Sequence, residues 1–231
     1  MGKPRKKDGD GMARKALLMF TAALVVIFLF LFVPAGTLDY WQAWIFMAVL
    51  FVPVIFVGTY LLKNDPEFLK RRFQFSERMK SQKRIIRISQ IVFFIGLLVP
   101  GLDYRFGWSH VPVPLVLLAD VLVFLGYVLV FLVFRENSYA SRIIEISKGQ
   151  KVISTGPYAV VRHPMYLGSI LMYLSMPIAL GSYVALLFFA PVIFAILFFR
   201  IGDEEKLLRK SLKGYKEYCK KVRFRLLPGI W

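Results

Sequence analysis

Residues 165–205 read MYLGSILMYLSMPIALGSYVALLFFAPVIFAILFFRIGDEE. Two apolar runs, 165–180 and 183–199, are separated only by Gly181 and Ser182. A break that short between two helix-length runs predicts a tight helical hairpin. The hairpin's open ends must then meet, which brings position 165 beside position 200. Charge returns there abruptly, as Arg200, Asp203, Glu204 and Glu205. Both runs are short for a membrane span of about 17–25 residues, but nothing in them interrupts the apolar character.

Four further apolar runs precede the hairpin, at 16–33, 42–62, 88–103 and 112–134. The chain is 58% hydrophobic with mean hydropathy +0.60, above the 45–50% apolar content usual for a soluble domain. The expected fold is therefore all-α and multi-pass, with about six transmembrane helices. Thirty of the 31 Lys and Arg residues lie in 1–15, 63–87, 135–164 and 200–231. The turns at 34–41, 104–111 and 181–182 hold the remaining one, Arg105. Cytoplasmic loops concentrate Lys and Arg, so both termini are expected in the cytoplasm, as for an inner-membrane protein of bacterial type. The net charge of +17 could suggest nucleic acid. Its segregation between apolar spans excludes that partner and points to the lipid bilayer, where each juxtamembrane cation is worth about 1 kcal/mol on anionic headgroups.

One cysteine, Cys219, and two histidines, His110 and His163, exclude an internal disulfide and leave too few ligands for a Cys/His metal site. The run 16–33, followed by Val33-Pro34-Ala35, resembles a signal peptide. It exceeds the 7–15 residues of an h-region and is read as a retained span. Three regions result: a basic tail 1–15, expected to lack fixed structure; a four-span membrane part 16–134; and a region 135–231 that holds the chemistry.

Local signals add detail. Asp65, Pro66 and Glu67 read as N-cap, N1 and first-turn acid of a helix in the 63–87 loop. The mixed basic and apolar residues from Phe68 to Phe75 make that helix interfacial, as an anchor or a groove wall. Tyr40, Trp41 and Trp44 read as an aromatic belt. Residues 204–222 read as one amphipathic helix, with Leu207, Leu208, Ser211, Leu212, Tyr215, Cys219 and Val222 on one stripe. Asp120 is the one acid deep in a span and is expected to have a structural partner.

Two polar stretches flank the hairpin's open end: Gly149 to Gly168, and Arg200 to Glu205. Arg162-His163-Pro164 reads as a helix start whose free N–H groups could meet an anionic or polar ligand. Arg162 could equally be a positive-inside anchor, and His163 a satisfied histidine at a helix start. Tyr158 and Tyr166 could be belt aromatics. Arg200 and Glu204 share a helix face, so they could be an ordinary i,i+4 pair worth a few tenths of a kcal/mol. The acid pair Glu204-Glu205 beside a polar-lined pocket would also suit a cationic cofactor.

Gly156-Pro157-Tyr158, then Arg162-His163-Pro164-Met165-Tyr166-Leu167-Gly168, then Arg200-x3-Glu204-Glu205-x2-Leu208 and Gly214-Tyr215-x2-Tyr218 resemble the isoprenylcysteine carboxyl methyltransferase family and the related phospholipid methyltransferases. The run Val222 to Trp231 resembles bacterial members of unknown substrate. The resemblance implies S-adenosyl-L-methionine as methyl donor and S-adenosyl-L-homocysteine as product. It implies a cofactor site lined by Gln150, Lys151, Val152, Ile153, Tyr158, His163, Pro164, Met165 and Tyr166 and held by Glu204. Gln150 stands where the eukaryotic members carry histidine. Arg200 would meet the substrate, and Arg200 and Glu204 would carry the chemistry. The expected acceptor is a lipophilic or lipidated molecule, methylated on a carboxylate or, as in phospholipid methyltransferases, on an amine. An NADPH-dependent sterol-type reductase and a non-enzymatic membrane protein are the readings of other classes.

Overall fold

In a computed structural model, which describes residues 6–72, 80–140, 146–147 and 149–231, the described residues form eight α-helices and one short 3-10 turn. They are α1 (Lys6–Ala35), α2 (Trp41–Asn64), α3 (Pro66–Arg72), α4 (Lys80–Phe106), α5 (Val113–Glu136), α6 (Pro164–Ala179), α7 (Tyr183–Ser211) and α8 (Tyr215–Lys221), with the 3-10 turn at Gly156–Ala159. Helices α1, α2, α4, α5 and α7 are long and apolar enough to cross a membrane. The expectation of about six spans thus becomes five, plus α6. That helix has 16 residues and measures about 24 Å at 1.5 Å per residue. Helix α1 begins at Lys6, ahead of the expected Ala16, so part of the basic tail is helical.

Lipid-facing and core faces separate along each span. Leu31, Ala43, Phe46, Leu97, Val123, Ala179 and Phe189 form one buried cluster. Leu17, Val52, Phe56, Leu118, Leu187, Phe188 and Phe198 stay exposed on the periphery, as expected where hydrocarbon covers the outside. Packing is most extensive between α5 and α6 and between α1 and α4. The α5–α6 contact depends on Gly126 and Gly168. A Cβ at Gly126 would lie 2.8 Å from the Gly168 carbonyl oxygen, and one at Gly168 would lie 3.0 Å from the Gly126 oxygen. Small residues let the two backbones approach.

The hairpin predicted from Gly181-Ser182 is present, and a buried acid fixes its closed end. Asp103, at the end of α4, is 1% exposed. It accepts from the Ser109 N–H at 2.7 Å, from the Ser109 hydroxyl at 2.6 Å and from the Ser182 hydroxyl. Ser182 Oγ also caps α7 by accepting from the Ala185 N–H at 3.0 Å. Tyr40, expected in an aromatic belt, is instead fully buried. Its hydroxyl donates to the Leu180 carbonyl and its ring stacks on Tyr104 at 4.4 Å, because the chain end of α6 needs a donor at that depth. Asp103→Ala removes three acceptor contacts and is expected to cost about 2 kcal/mol. In a thermal melt of the solubilised protein this corresponds to roughly 4–8 °C, with a smaller loss for Ser182→Ala. Equal losses would mean that Asp103 does not organise the turn.

Asp65 caps α3 as expected, its carboxylate accepting from the Phe68 N–H at 2.9 Å. Phe68 and Leu69 bury against Leu61, Val133 and Ala140. Arg71 donates to the Ser138 carbonyl at 2.8 Å, and Arg72 lies over the Phe134 ring at 4.7 Å. Helix α3 therefore fastens to the end of α5. Phe73 and Phe75 of the expected helix lie outside the described residues. The amphipathic helix expected over 204–222 is two helices, broken at Gly214 with φ +87. The stripe survives the break, since Leu212, Tyr215, Tyr218 and Val222 bury together beside Leu208 and Cys219. Asp120 is buried in α5, and neither carboxylate oxygen has a hydrogen-bond partner among the described residues. The structural pairing expected for it is absent there.

Candidate active site

At the hairpin's open end, α6, α7, α8 and the segment after α5 surround one cleft of about 860 Å³, including its open mouth. Helix α6 supplies Pro164, Met165 and Tyr166, with His163 at its cap. Helix α7 supplies Arg200, Glu204, Leu207 and Leu208. The loop ahead of α6 brings Gln150, Lys151, Val152, Ile153 and Tyr158. All the residues to which the resemblance assigned a role therefore face one cavity. Asn137, Tyr139, Ala140, Leu212, Tyr215 and Tyr218 line it as well and were not among the expected site residues.

The two adjacent acids divide their roles. The Glu204 carboxylate accepts from the Tyr166 hydroxyl at 2.7 Å, and Arg200 is the other polar neighbour of that hydroxyl. Glu205 turns away from the cleft and is 4% exposed. Its Oε1 accepts from Arg162 Nε at 2.7 Å and lies 3.4 Å from His163 Nε2. Its Oε2 accepts from Arg225 Nε at 3.2 Å and pairs with Arg209 at 3.5 Å. Neighbours on a helix point about 100° apart, so two acids in sequence serve different surroundings.

The start of α6 departs from expectation for the same reason. The Arg162 and His163 N–H groups donate to the Phe224 and Arg225 carbonyls at 3.0 and 2.9 Å. Arg162 Nη1 donates to the Val222 and Arg223 carbonyls at 3.0 and 2.6 Å. The N–H groups of Arg162 and His163, just ahead of the helix, are thus occupied by the 224–225 backbone. Arg162 is buried in this role rather than serving as a surface anchor. The segment after α8 is itself closed by the Arg225 N–H donating to the Trp231 oxygen at 2.8 Å, while the Trp231 ring stacks on Phe198 at 5.6 Å.

The loop side is equally tied. Gln150 Oε1 accepts from the Ser147 N–H at 2.9 Å. The Tyr158 hydroxyl accepts from Asn137 Nδ2 at 2.8 Å, and the Tyr158 carbonyl accepts from the Tyr218 hydroxyl at 2.7 Å. Burial pushes the Tyr158 phenol up to about 12, lowered in part by Asn137 and raised by Glu204, so it stays neutral at physiological pH. Gly156, with φ +56, fits against Glu136, whose carboxylate a Cβ would meet at 3.1 Å. The Tyr215 hydroxyl is buried at the cleft without a hydrogen-bond partner among the described residues. An orphaned buried hydroxyl costs free energy until a ligand supplies its partner.

The described geometry matches known membrane proteins. Residues 115–214 match the phospholipid methyltransferase family. The matched span takes in α5, the cofactor-loop candidates, the hairpin and the break at Gly214. A Protein-S-isoprenylcysteine O-methyltransferase of Schizosaccharomyces pombe is 35% identical over 77 residues, 33% of this chain and 33% of that protein. A Delta(14)-sterol reductase of Mus musculus is 32% identical over 90 residues, 38% of this chain and 22% of that protein. Another from Ascobolus immersus is 34% identical over 85 residues, 36% and 20% of the respective chains. The matched segments thus span a third or less of these relatives. A solved eukaryotic intramembrane Ras methyltransferase, isoprenylcysteine carboxyl methyltransferase, is 22% identical, covering 93% of this chain and 77% of that one with a TM-score of 0.55. The fold described here is shared with that multi-pass methyltransferase.

Proposed function

We propose that this chain is an integral-membrane methyltransferase that uses S-adenosylmethionine and acts on a lipophilic acceptor, most favourably a carboxylate. The supporting observation is the convergence of the Gln150–Ile153 loop, Tyr158, the α6 start, Arg200 and Glu204 on one cleft. The residues present suit that cofactor. Glu204 offers a carboxylate for a cation or ribose hydroxyl. Tyr215 offers a hydroxyl without a hydrogen-bond partner among the described residues. Val152, Ile153, Met165 and Leu208 offer apolar surface.

When bound, S-adenosylmethionine supplies an electrophilic methyl group on sulfur. The chain's own residues have to align the acceptor and exclude water, and positioning of this kind is worth up to about 7–11 kcal/mol. A carboxylate acceptor is ionised at neutral pH and needs no base. Arg200 can hold it through paired hydrogen bonds. An amine acceptor would require deprotonation, with Glu204 as the base; Glu205 is withdrawn from that role by its arginine partners. The cation-rich side, where the cleft opens, is read as cytoplasmic, which admits the polar cofactor from water and the acceptor from the bilayer.

The sterol reductase matches favour a second reading, in which the cleft holds NADPH. Titrating the purified protein with S-adenosylhomocysteine and with NADPH separates the two. Micromolar binding of S-adenosylhomocysteine alone is the expected result, and binding of NADPH alone would overturn the proposal. Membranes incubated with labelled methyl donor are then expected to yield a base-labile ester rather than a stable methylamine.

A further inference from the structure

The segment after α8 carries an apolar surface that the cleft does not use. Residues 227–230 form a tight turn, in which the Ile230 and Trp231 N–H groups donate to the Leu227 carbonyl at 3.2 Å. Gly229 supplies the left-handed backbone there, with φ +82. The Arg225 and Leu226 N–H groups donate to the Trp231 oxygen at 2.8 and 3.1 Å. These donors are paired within the loop itself and need no water. Leu226 buries in the core shared by the spans, and Trp231 packs beside it. The residues left pointing outward are Leu227, 43% exposed, and Ile230, 78% exposed.

This tip continues the lipid-facing surface of α7. The Trp231 ring stacks on Phe198, which is itself exposed on a helix long and apolar enough to cross a membrane. The charge nearby has one sign. From Tyr218 to Trp231 the chain holds Lys220, Lys221, Arg223 and Arg225 and no acid. Arg225 pairs with Glu205, while Lys220, Lys221 and Arg223 are exposed.

We propose that the loop 223–230 is a membrane-interface contact, in which Leu227 and Ile230 enter the bilayer boundary and Lys220, Lys221 and Arg223 meet anionic lipid headgroups. The occupant is the lipid leaflet around α7. Apolar tips flanked by cations suit a segment seated about 5–10 Å into that boundary, where indole rings also gather. The contact reaches the cleft through the backbone. The Phe224 and Arg225 carbonyls accept from the Arg162 and His163 N–H groups, so the loop resting on lipid also holds the start of α6. The inference needs only a membrane-spanning chain and holds whatever the cleft binds.

The full chain in nanodiscs, with Cys219→Ala and Ile230→Cys, is labelled at 230 with an environment-sensitive maleimide fluorophore. Quenching is read with iodide in water and with phosphatidylcholine bearing a nitroxide high on its acyl chain. Leu118→Cys, on the exposed face of α5, gives the lipid reference. The 230 label is expected to show lipid quenching within about twofold of that reference, with little quenching by iodide. Adding phosphatidylglycerol to the disc should raise its lipid quenching about twofold. Lys220→Gln, Lys221→Gln and Arg223→Gln together should cancel that rise and leave the value in neutral discs unchanged.

A label quenched by iodide and not by lipid would put the loop in water and overturn the proposal. Protection from both quenchers would mean that a second copy or another protein covers the tip, and would overturn it equally. A rise that persists in the triple variant removes the headgroup contact. Should the 230 variant fail to fold, Leu227→Cys carries the same test with the same outcomes.

Discussion

Glu205→Gln is expected to lower the melting temperature of the solubilised protein by about 10 °C and to abolish cofactor binding with it. The Glu205 carboxylate sits among Arg162, Arg209, Arg225 and His163, and its side chain and that of Arg162 are only 5% and 6% exposed. Removing one partner of a buried ion pair leaves the other charge uncompensated, at a cost of roughly 3–5 kcal/mol. At about 2–4 °C per kcal/mol for a chain of this size, the melt should move by that order. Arg162 also holds the 222–225 backbone against the start of α6, so the cleft's α6 wall loosens as the pair is lost. A shift under about 2 °C would mean that the backbone hydrogen bonds alone hold this junction.

The neighbouring substitution should do the reverse. Glu204→Gln is expected to leave the melting temperature within about 2 °C and to weaken S-adenosylhomocysteine binding by roughly 10- to 100-fold. A glutamine oxygen still accepts from the Tyr166 hydroxyl, which preserves the 2.7 Å contact. What disappears is the negative charge facing the cleft, and a charge-assisted hydrogen bond is worth about 1.5–3 kcal/mol. Calorimetry on both variants tests the pair together. Unchanged affinity in Glu204→Gln would confine Glu204 to holding Tyr166.

The contrast between these two glutamates marks the boundary of what spacing can tell. A two-residue gap between apolar runs determines that the hairpin's ends meet, and the Asp65-Pro66-Glu67 cap is a local signal for α3. Both were legible because their causes lie within a few residues. Which acid of Glu204-Glu205 faces the cleft depends on Arg162 and Arg225, 43 and 20 residues away, and no local pattern encodes that. The bridge from the buried Gln82 side chain to Arg200 and Asp203 was invisible for the same reason, since those residues lie 118 and 121 positions on. The break at Gly214 was masked because the stripe continues on both sides of it. Tyr215 and Tyr218 stood within the motif that carried the resemblance, but their place on the cleft follows only from that break.

The brevity of α6 has an energetic consequence for any greasy acceptor. Arg200 lies 17 residues along α7 from Tyr183, about 25 Å, level with the start of the 16-residue α6. The hydrocarbon slab of a bilayer is about 30 Å thick, so on the proposed function a hairpin whose closed end lies at one face would hold Arg200 near the opposite boundary rather than above it. A chain-bearing molecule can present its head there while its tail remains dissolved in lipid. It is spared the extraction work of about 0.8 kcal/mol for every methylene drawn into water. Fifteen carbons would otherwise impose on the order of 12 kcal/mol, more than most binding sites return. A shallow floor turns an uphill transfer into lateral diffusion.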